Sequence, residues 1–65
     1  MNPIKERVKV ELDELQMRLT KLKHFVEGER ITTVSDEMAD LLRQQYAIMK
    51  QYRDILKKRI ALMED

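Results

Sequence analysis

The residues best suited to chemistry in this sequence are an arginine and a tyrosine within an apolar helix face. Gln45, Tyr52 and Arg59 recur at intervals of seven, between two sets of aliphatic residues. An arginine in that setting must reach water, a carboxylate such as Glu6, or an anionic ligand. Arginine binds phosphate through its bidentate fork, and tyrosine can stack on a nucleobase. One hypothesis is that Tyr52, Arg59 and Arg7 converge into an anion-binding pocket; the other is a solvated arginine at a helix end.

A second basic face lies on the same predicted helix, with members spaced 3, 4, 3 and 4 residues apart: Arg43, Tyr46, Lys50, Arg53 and Lys57. It is either an ordinary solvated face or a surface that contacts the phosphates of a nucleotide or nucleic acid. For a nucleotide ligand, Tyr46 is a second candidate for base stacking, and Lys50 and Arg53 would add charge at the rim. The net charge of +1 makes a nucleic-acid partner unlikely.

Catalytic and metal-binding constellations are absent from the sequence. His24 is the only histidine, Ser35 is a candidate helix cap, and there are no cysteines. One glycine cannot build a phosphate-binding loop, and thiolate chemistry and disulfides are excluded. We therefore expect no enzyme activity, no cofactor and no metal site.

Apolar spacing places the candidate residues on two helices. In the first half, aliphatic residues recur every three or four positions, which is typical of a packed helix seam: Ile4, Val8, Leu12, Leu15, Leu19, Leu22 and Val26. Helix 1 is predicted over about residues 3–27, the turn over 28–34 and helix 2 over about 35–63. Two helices joined by a short turn pack antiparallel. We predict an all-α antiparallel hairpin, with residues 1–65 as a single domain.

Composition and capping residues agree with a helical hairpin. Of the 65 residues, 38% are charged and 43% apolar, which favours amphipathic helices over sandwiches or barrels. Asn2 is a good N-cap for helix 1, Gly28 is a natural C-cap, and Thr33 or Ser35 can cap helix 2. No apolar stretch is long enough to span a membrane and no apolar signal region follows Met1, so a cytoplasmic protein is expected.

Helix 2 carries more apolar surface than helix 1 can cover. One set of aliphatic residues recurs every seven positions, at Leu41, Ile48, Ile55 and Leu62, and a second set lies one residue along, at Leu42, Met49, Leu56 and Met63. On helix 1, Val10 and Met17 lie opposite the main seam. An uncovered apolar stripe normally marks an interface. The pattern therefore predicts a homo-oligomeric helical bundle with Leu41, Ile48, Ile55, Leu62, Val10 and Met17 at the interface; a monomer and a complex with another protein are the alternatives.

The run QYAIMKQYRDILKKRI, residues 45–60, resembles the second helix of small phage-encoded hairpin proteins. The more telling positions within it are Gln45, Met49, Tyr52, Leu56, Arg59 and Ile60, and helix 1 matches at Arg7, Val8, Glu11, Leu12, Leu15, Lys21, Leu22 and Phe25. These residues resemble the helical hairpin domain shared by phage anti-CBASS and anti-Thoeris cyclic-nucleotide sponges.

The resemblance implies an oligomer of hairpins that captures cyclic oligonucleotide signals between subunits without cleaving them. A cyclic di- or trinucleotide is then the expected ligand, and the host cytoplasm is the expected location. Arg7 and Arg59 would pair with phosphates, and Tyr52 or Tyr46 would stack on a base. The alternative function is a protein-binding inhibitor or adaptor that docks its apolar face on a host or phage protein. A small nucleic-acid binder is a third.

Overall fold

The computed structural model describes residues 2–64 and shows two long helices folded against each other. Helix α1 comprises Pro3–Glu27 and helix α2 comprises Asp36–Leu62, with a short 3₁₀ helix, Glu29–Thr33, between them. The molecule measures 46 × 15 × 13 Å, the dimensions of one helix pair. The predicted all-α antiparallel hairpin is confirmed. Within residues 2–64, neither long helix is apolar enough over its length to cross a membrane.

Side-chain caps define where both helices begin. The Asn2 Oδ1 accepts hydrogen bonds from the backbone N–H groups of Ile4, at 3.0 Å, and Lys5, at 3.2 Å. At the start of α2, the Ser35 Oγ accepts from the Met38 N–H at 3.1 Å, so Ser35 rather than Thr33 is the cap. Such caps satisfy backbone donors that have no partner inside the helix. The sequence therefore specifies both helix starts locally.

The connection is more regular than the sequence indicates. The sequence predicted a turn over residues 28–34, and within it residues 29–33 form a 3₁₀ helix in which the Thr32 and Thr33 hydroxyls donate to backbone carbonyls three residues earlier. Gly28 precedes this segment as the C-cap of α1. A Cβ at residue 28 would lie 2.7 Å from the His24 carbonyl oxygen, so the chain's close approach to α1 requires glycine there.

The hairpin core is narrow and lies toward the end of the molecule where the chain termini meet. Val8, Leu15 and Leu56 form its buried cluster, and Leu56 is completely inaccessible to solvent. Four half-buried residues pack around the cluster: Leu12, Met49, Ile60 and Met63. The set of α2 residues that includes Met49, Leu56 and Met63 is therefore the one that packs against α1.

Replacing Asn2 with alanine should lower the free energy of unfolding by about 1 kcal/mol, the usual cost of losing an N-cap. Besides capping α1, the Asn2 Nδ2 donates to the Glu64 carbonyl at 2.6 Å and so joins the two ends of the hairpin. Urea denaturation at one fixed protein concentration measures the change. Thr20→Ala is the matched control because the Thr20 hydroxyl only donates to a carbonyl of its own helix. Equal stability of the Asn2 variant and the wild type would contradict the prediction.

Candidate functional site

A continuous apolar face of α2 points away from α1. It consists of residues spaced alternately three and four apart, which we call the outer seam: Met38, Leu41, Gln45, Ile48, Tyr52, Ile55, Arg59 and Leu62. Its aliphatic members are strongly exposed: Leu41 by 59%, Ile48 by 63%, Ile55 by 54% and Leu62 by 84%. The residues immediately after them are the ones that pack on α1, and consecutive helix residues lie about 100° apart. The outer seam is therefore a second helix-packing face beside the first.

Gln45, Tyr52 and Arg59 lie along the edge of the outer seam nearest the packed face. Tyr52 is 40% exposed, and Arg59 is exposed without an ion pair or hydrogen bond to any residue in the range 2–64. Glu6, the carboxylate considered as a partner for Arg59, instead lies 3.5 Å from the Lys9 Nζ. The guanidinium of Arg59 is therefore available to an external anion.

Arg7 belongs to the same end of the hairpin as Arg59. Its neighbour Val8 packs in one cluster with Leu56, which lies less than one turn before Arg59. Arg7 is exposed and, like Arg59, has no ion pair within the described part of the chain. In an antiparallel helix pair, the residue before a packed position lies on the same side of the pair in both helices. Arg7 and the outer seam therefore share one side of the hairpin.

Tyr46, Lys50 and Arg53 lie on another part of α2. All three are half-buried, and the Lys50 Nζ lies 4.7 Å from the centroid of the Tyr46 ring, a cation–π contact. The Arg53 Nε lies 3.1 Å from a carboxylate oxygen of Asp54. The structure therefore divides the six residues named as ligand candidates into two groups. Arg7, Tyr52 and Arg59 lie on one side and have no ion pair or hydrogen-bond partner for their side chains among residues 2–64, whereas Tyr46, Lys50 and Arg53 lie on the other side and have partners.

Val10 and Met17 form an exposed apolar pair on α1. They are 55% and 63% exposed, and they lie apart from the outer seam of α2. The hairpin thus presents two separate apolar surfaces, of which the outer seam is the longer.

Two open clefts near the turn were not indicated by the sequence patterns. One, of about 370 Å³, is lined by Lys21, His24, Phe25 and Arg30, with the Arg30 guanidinium 5.2 Å from the centroid of the Phe25 ring. The other, of about 330 Å³, is lined by Ile31, Thr32, Val34, Asp36, Ala39, Asp40 and Arg43. The helical spacing of Lys21, His24 and Phe25 could have indicated the first cleft from the sequence. Its fourth lining residue, Arg30, lies beyond the end of α1, so helical spacing could not include it.

The chemistry available to the candidate site is binding. Arginine side chains can pair with phosphates and a tyrosine ring can stack on a base. Among residues 2–64, no group of three or more histidine, cysteine or acidic side chains is arranged to hold a metal ion. In a single hairpin, the candidate site is an open face rather than a pocket.

Comparison with known proteins identifies the family of this chain. No solved structure matches it significantly. The chain is 42% identical over 55 residues to an uncharacterised 7.5 kDa protein of Enterobacteria phage T4, encoded in the denB–rIIB intergenic region. That alignment covers 85% of this chain and 86% of the phage protein. The profile of the Sequestin family matches residues 2–62. The chain therefore belongs to the Sequestin family.

Proposed function

We propose that this protein binds cyclic oligonucleotide second messengers of bacterial anti-phage defence and sequesters them without cleaving them. The observation that carries the proposal is the placement along an exposed apolar seam of Tyr52 and of Arg59, which has no ion pair among residues 2–64. The family name denotes sequestration, and the similar protein comes from a phage. The protein would act in the cytoplasm of the infected host, where such messengers are made.

The chemistry of the ligand matches the residues at this face. A cyclic dinucleotide presents two phosphates and two bases in a symmetric ring. Arg7 and Arg59 would pair with the phosphates, and Tyr52 would stack on a base, while Tyr46, Lys50 and Arg53 lie on the other side of the hairpin, from which the two bases would add positive charge at a distance from this site. One hairpin offers one copy of each group. A homo-oligomer would offer two copies about a symmetry axis, which suits a symmetric ligand.

Sequestration requires tight binding rather than turnover. A bound messenger is unavailable to the defence effector for as long as it stays in the site, so the dissociation rate sets the effect. Arginine–phosphate pairs partly shielded from water by aliphatic neighbours are stronger than the same pairs in bulk solvent. The aliphatic members of the outer seam would supply that shielding once a second subunit covers them.

A second candidate function is a protein-binding inhibitor or adaptor. The observation that favours it is the exposure of the outer seam together with Val10 and Met17. In that case the seam would dock on a host or phage protein, and no nucleotide would be required.

The test is a thermal-shift panel of cyclic di- and trinucleotides, with linear dinucleotides and cyclic mononucleotides as controls. A ligand at 100 times its Kd adds about 2.7 kcal/mol of stability. For a chain of this size that raises Tm by about 10 °C or more. The ligand recovered after denaturing the complex should be chemically intact. Absence of a shift with every cyclic nucleotide at millimolar concentration would contradict the proposal and favour the protein-binding alternative, and a recovered linear product would contradict sequestration.

A further inference from the structure

We propose that the cleft lined by Lys21, His24, Phe25 and Arg30, which we call the turn-end cleft, binds a phosphomonoester, with a nucleoside monophosphate as its preferred form. The cleft measures about 370 Å³. Three of its four lining side chains carry nitrogen donors and the fourth is an aromatic ring. None of the four is a carboxylate, so an anion that enters the cleft meets donors on several sides and no like charge in its lining.

Two elements of the hairpin build the turn-end cleft. Lys21, His24 and Phe25 are spaced three and four residues apart in α1, and residues at this spacing lie on one face of a helix. Arg30 comes from the 3₁₀ helix, and the chain can return this close to α1 because residue 28 is glycine. A Cβ there would lie 2.7 Å from the His24 carbonyl oxygen. The cleft therefore depends on the folded turn and not on α1 alone.

The position of Arg30 is fixed before any ligand binds. Its carbonyl accepts a hydrogen bond of 2.6 Å from the Thr33 hydroxyl, within the 3₁₀ helix. Its guanidinium lies 5.2 Å from the centroid of the Phe25 ring, a cation–π contact. A side chain that is already oriented loses less conformational entropy when it binds a ligand. Arg30 is therefore a preorganised donor at the rim of the cleft.

The cations of the turn-end cleft are available to an external anion. Lys21 and Arg30 have no ion pair with any residue in the range 2–64. Glu27 and Glu29 adjoin Gly28 in the sequence, but neither lines the cleft. The positive charge of the cleft is thus not matched by carboxylates in its own lining.

The other cleft near the turn differs in this respect. Its lining includes Asp36 and Asp40, and the Arg43 Nη1 lies 3.7 Å from a carboxylate oxygen of Asp40. Two carboxylates beside one arginine repel an anion. The turn-end cleft is therefore the one of the two that suits a phosphate.

The dipole of α1 opposes an anion at this end of the helix, but the side chains outweigh it. The C-terminus of a helix carries the equivalent of about half a negative charge. Lys21 and Arg30 each contribute a full positive charge, and His24 offers an N–H donor whether it is neutral or protonated. The net field in the cleft therefore attracts an anion.

The number of donors favours a phosphomonoester over a phosphodiester. A terminal phosphate carries a charge of about −1.5 to −2 at pH 7 and three free oxygens, whereas a diester has one charge and two free oxygens. The fork of Arg30 can take two oxygens, and Lys21 or His24 can take the third. Phe25, which is half-buried, provides an apolar wall for the base of a nucleotide.

The turn-end cleft is separate from the candidate site at the chain termini. Arg7 and His24 lie about 26 Å apart along α1, at 1.5 Å per residue. One small ligand cannot contact both ends of the hairpin. The proposal therefore goes beyond the proposed function and does not rest on it.

The first test is an NMR titration of the ¹⁵N-labelled protein with adenosine 5′-monophosphate. Saturable shifts of the backbone amides of residues 21–30 are expected, with a Kd of about 1 mM or lower. Adenosine and adenosine 3′,5′-cyclic monophosphate are the matched controls, since one lacks the phosphate and the other is a diester. Both should bind these residues at least about tenfold more weakly. No saturable shift of residues 21–30 with the monophosphate at millimolar concentration, or equal binding of the cyclic diester, would overturn the proposal.

Ribose 5-phosphate distinguishes a nucleotide from a sugar phosphate. It presents the same terminal phosphate without the base, so it should bind the same residues more weakly than adenosine 5′-monophosphate. Binding as tight as that of the nucleotide would contradict the role of Phe25 as a wall for the base.

Variants of the lining residues provide the second test. Arg30→Gln should raise the Kd for adenosine 5′-monophosphate by about 10- to 100-fold, and Lys21→Gln should act in the same direction. Lys23→Gln removes a charge from the same turn of α1 but outside the cleft, and should keep the wild-type Kd within about threefold. All three residues are exposed, so circular dichroism should show unchanged helicity. Wild-type affinity of Arg30→Gln, or equal weakening by Lys21→Gln and Lys23→Gln, would overturn the proposal.

Failure of this proposal and failure of the proposed function give different results. Arg59→Gln should leave the shifts of residues 21–30 with adenosine 5′-monophosphate unchanged, and Arg30→Gln should leave the binding of a cyclic oligonucleotide unchanged. A protein that binds the monophosphate at residues 21–30 but no cyclic oligonucleotide contradicts only the proposed function. Loss of monophosphate binding in Arg59→Gln would show that the turn-end cleft is not the site and overturn the proposal.

Discussion

Leu56→Ala should destabilise the hairpin by about 3 kcal/mol, within the range typical of leucine truncation in a protein core. Leu56 is completely buried and packs in one cluster with two buried residues of α1, Val8 and Leu15. A chain of this size has little stability in excess. The buried cluster has two other members among the described residues, so the truncation removes a large part of its apolar contacts. We expect a fall in Tm of more than about 10 °C.

Lys57→Ala is the matched control for this experiment, because Lys57 is the next residue and is exposed. Its replacement should change the free energy of unfolding by less than about 0.5 kcal/mol. Both variants are to be compared by thermal and urea denaturation at the same protein concentration, since association would make the apparent stability concentration-dependent. If both variants unfold at the wild-type temperature, the packing around Leu56 has been assigned to the wrong face of α2.

Arg59→Gln should weaken binding of a cyclic oligonucleotide by about 10- to 100-fold. Hydrogen bonds that involve a charged group contribute about 1.5–3 kcal/mol each, and glutamine retains a polar side chain of intermediate length without the charge. Because Arg59 has no ion pair among residues 2–64, its replacement removes no contact within the hairpin. Isothermal titration calorimetry measures the affinity, and circular dichroism should show unchanged helicity and stability.

Lys57→Gln removes the same charge two residues away, on the opposite face of α2, and should retain wild-type affinity within about threefold, because solvent screening reduces the effect of a surface charge that does not contact the ligand. Equal loss of affinity in the Lys57 and Arg59 variants would indicate nonspecific electrostatic attraction instead of a site at Arg59.

Local sequence signals account for most of the hairpin. Asn2 and Ser35 cap the two helices as side-chain acceptors, and Gly28 ends α1 where a Cβ would collide with the His24 carbonyl. These signals act between residues a few positions apart, so they are readable without knowledge of the partner helix. The sequence did not predict the 3₁₀ helix over residues 29–33. The hydroxyls of its two threonines donate hydrogen bonds to backbone carbonyls of the same segment, and such contacts leave no periodic pattern of apolar residues in the sequence.

The sequence predicted only part of the arrangement of the candidate residues. The sequence suggested Tyr52 and Arg59 by their spacing and Arg7 by the antiparallel pairing of the helices, and the structure places all three on one side of the hairpin. It also named Tyr46, Lys50 and Arg53, which the structure places on another flank, where Tyr46 contacts Lys50 and Arg53 contacts Asp54. Charge and residue type alone do not show whether a basic side chain already has a partner within the fold.

Periodicity and capping by themselves established two amphipathic helices, their antiparallel pairing and an excess of apolar surface on the second. They also predicted that Leu41, Ile48, Ile55 and Leu62 face away from the hairpin core, which leaves the set with Leu56 to pack on α1. Only the tertiary structure decided how far each set is covered. Leu56 is completely inaccessible to solvent whereas Ile48 is 63% exposed, because α1 is one helix wide and can cover only one of the two faces.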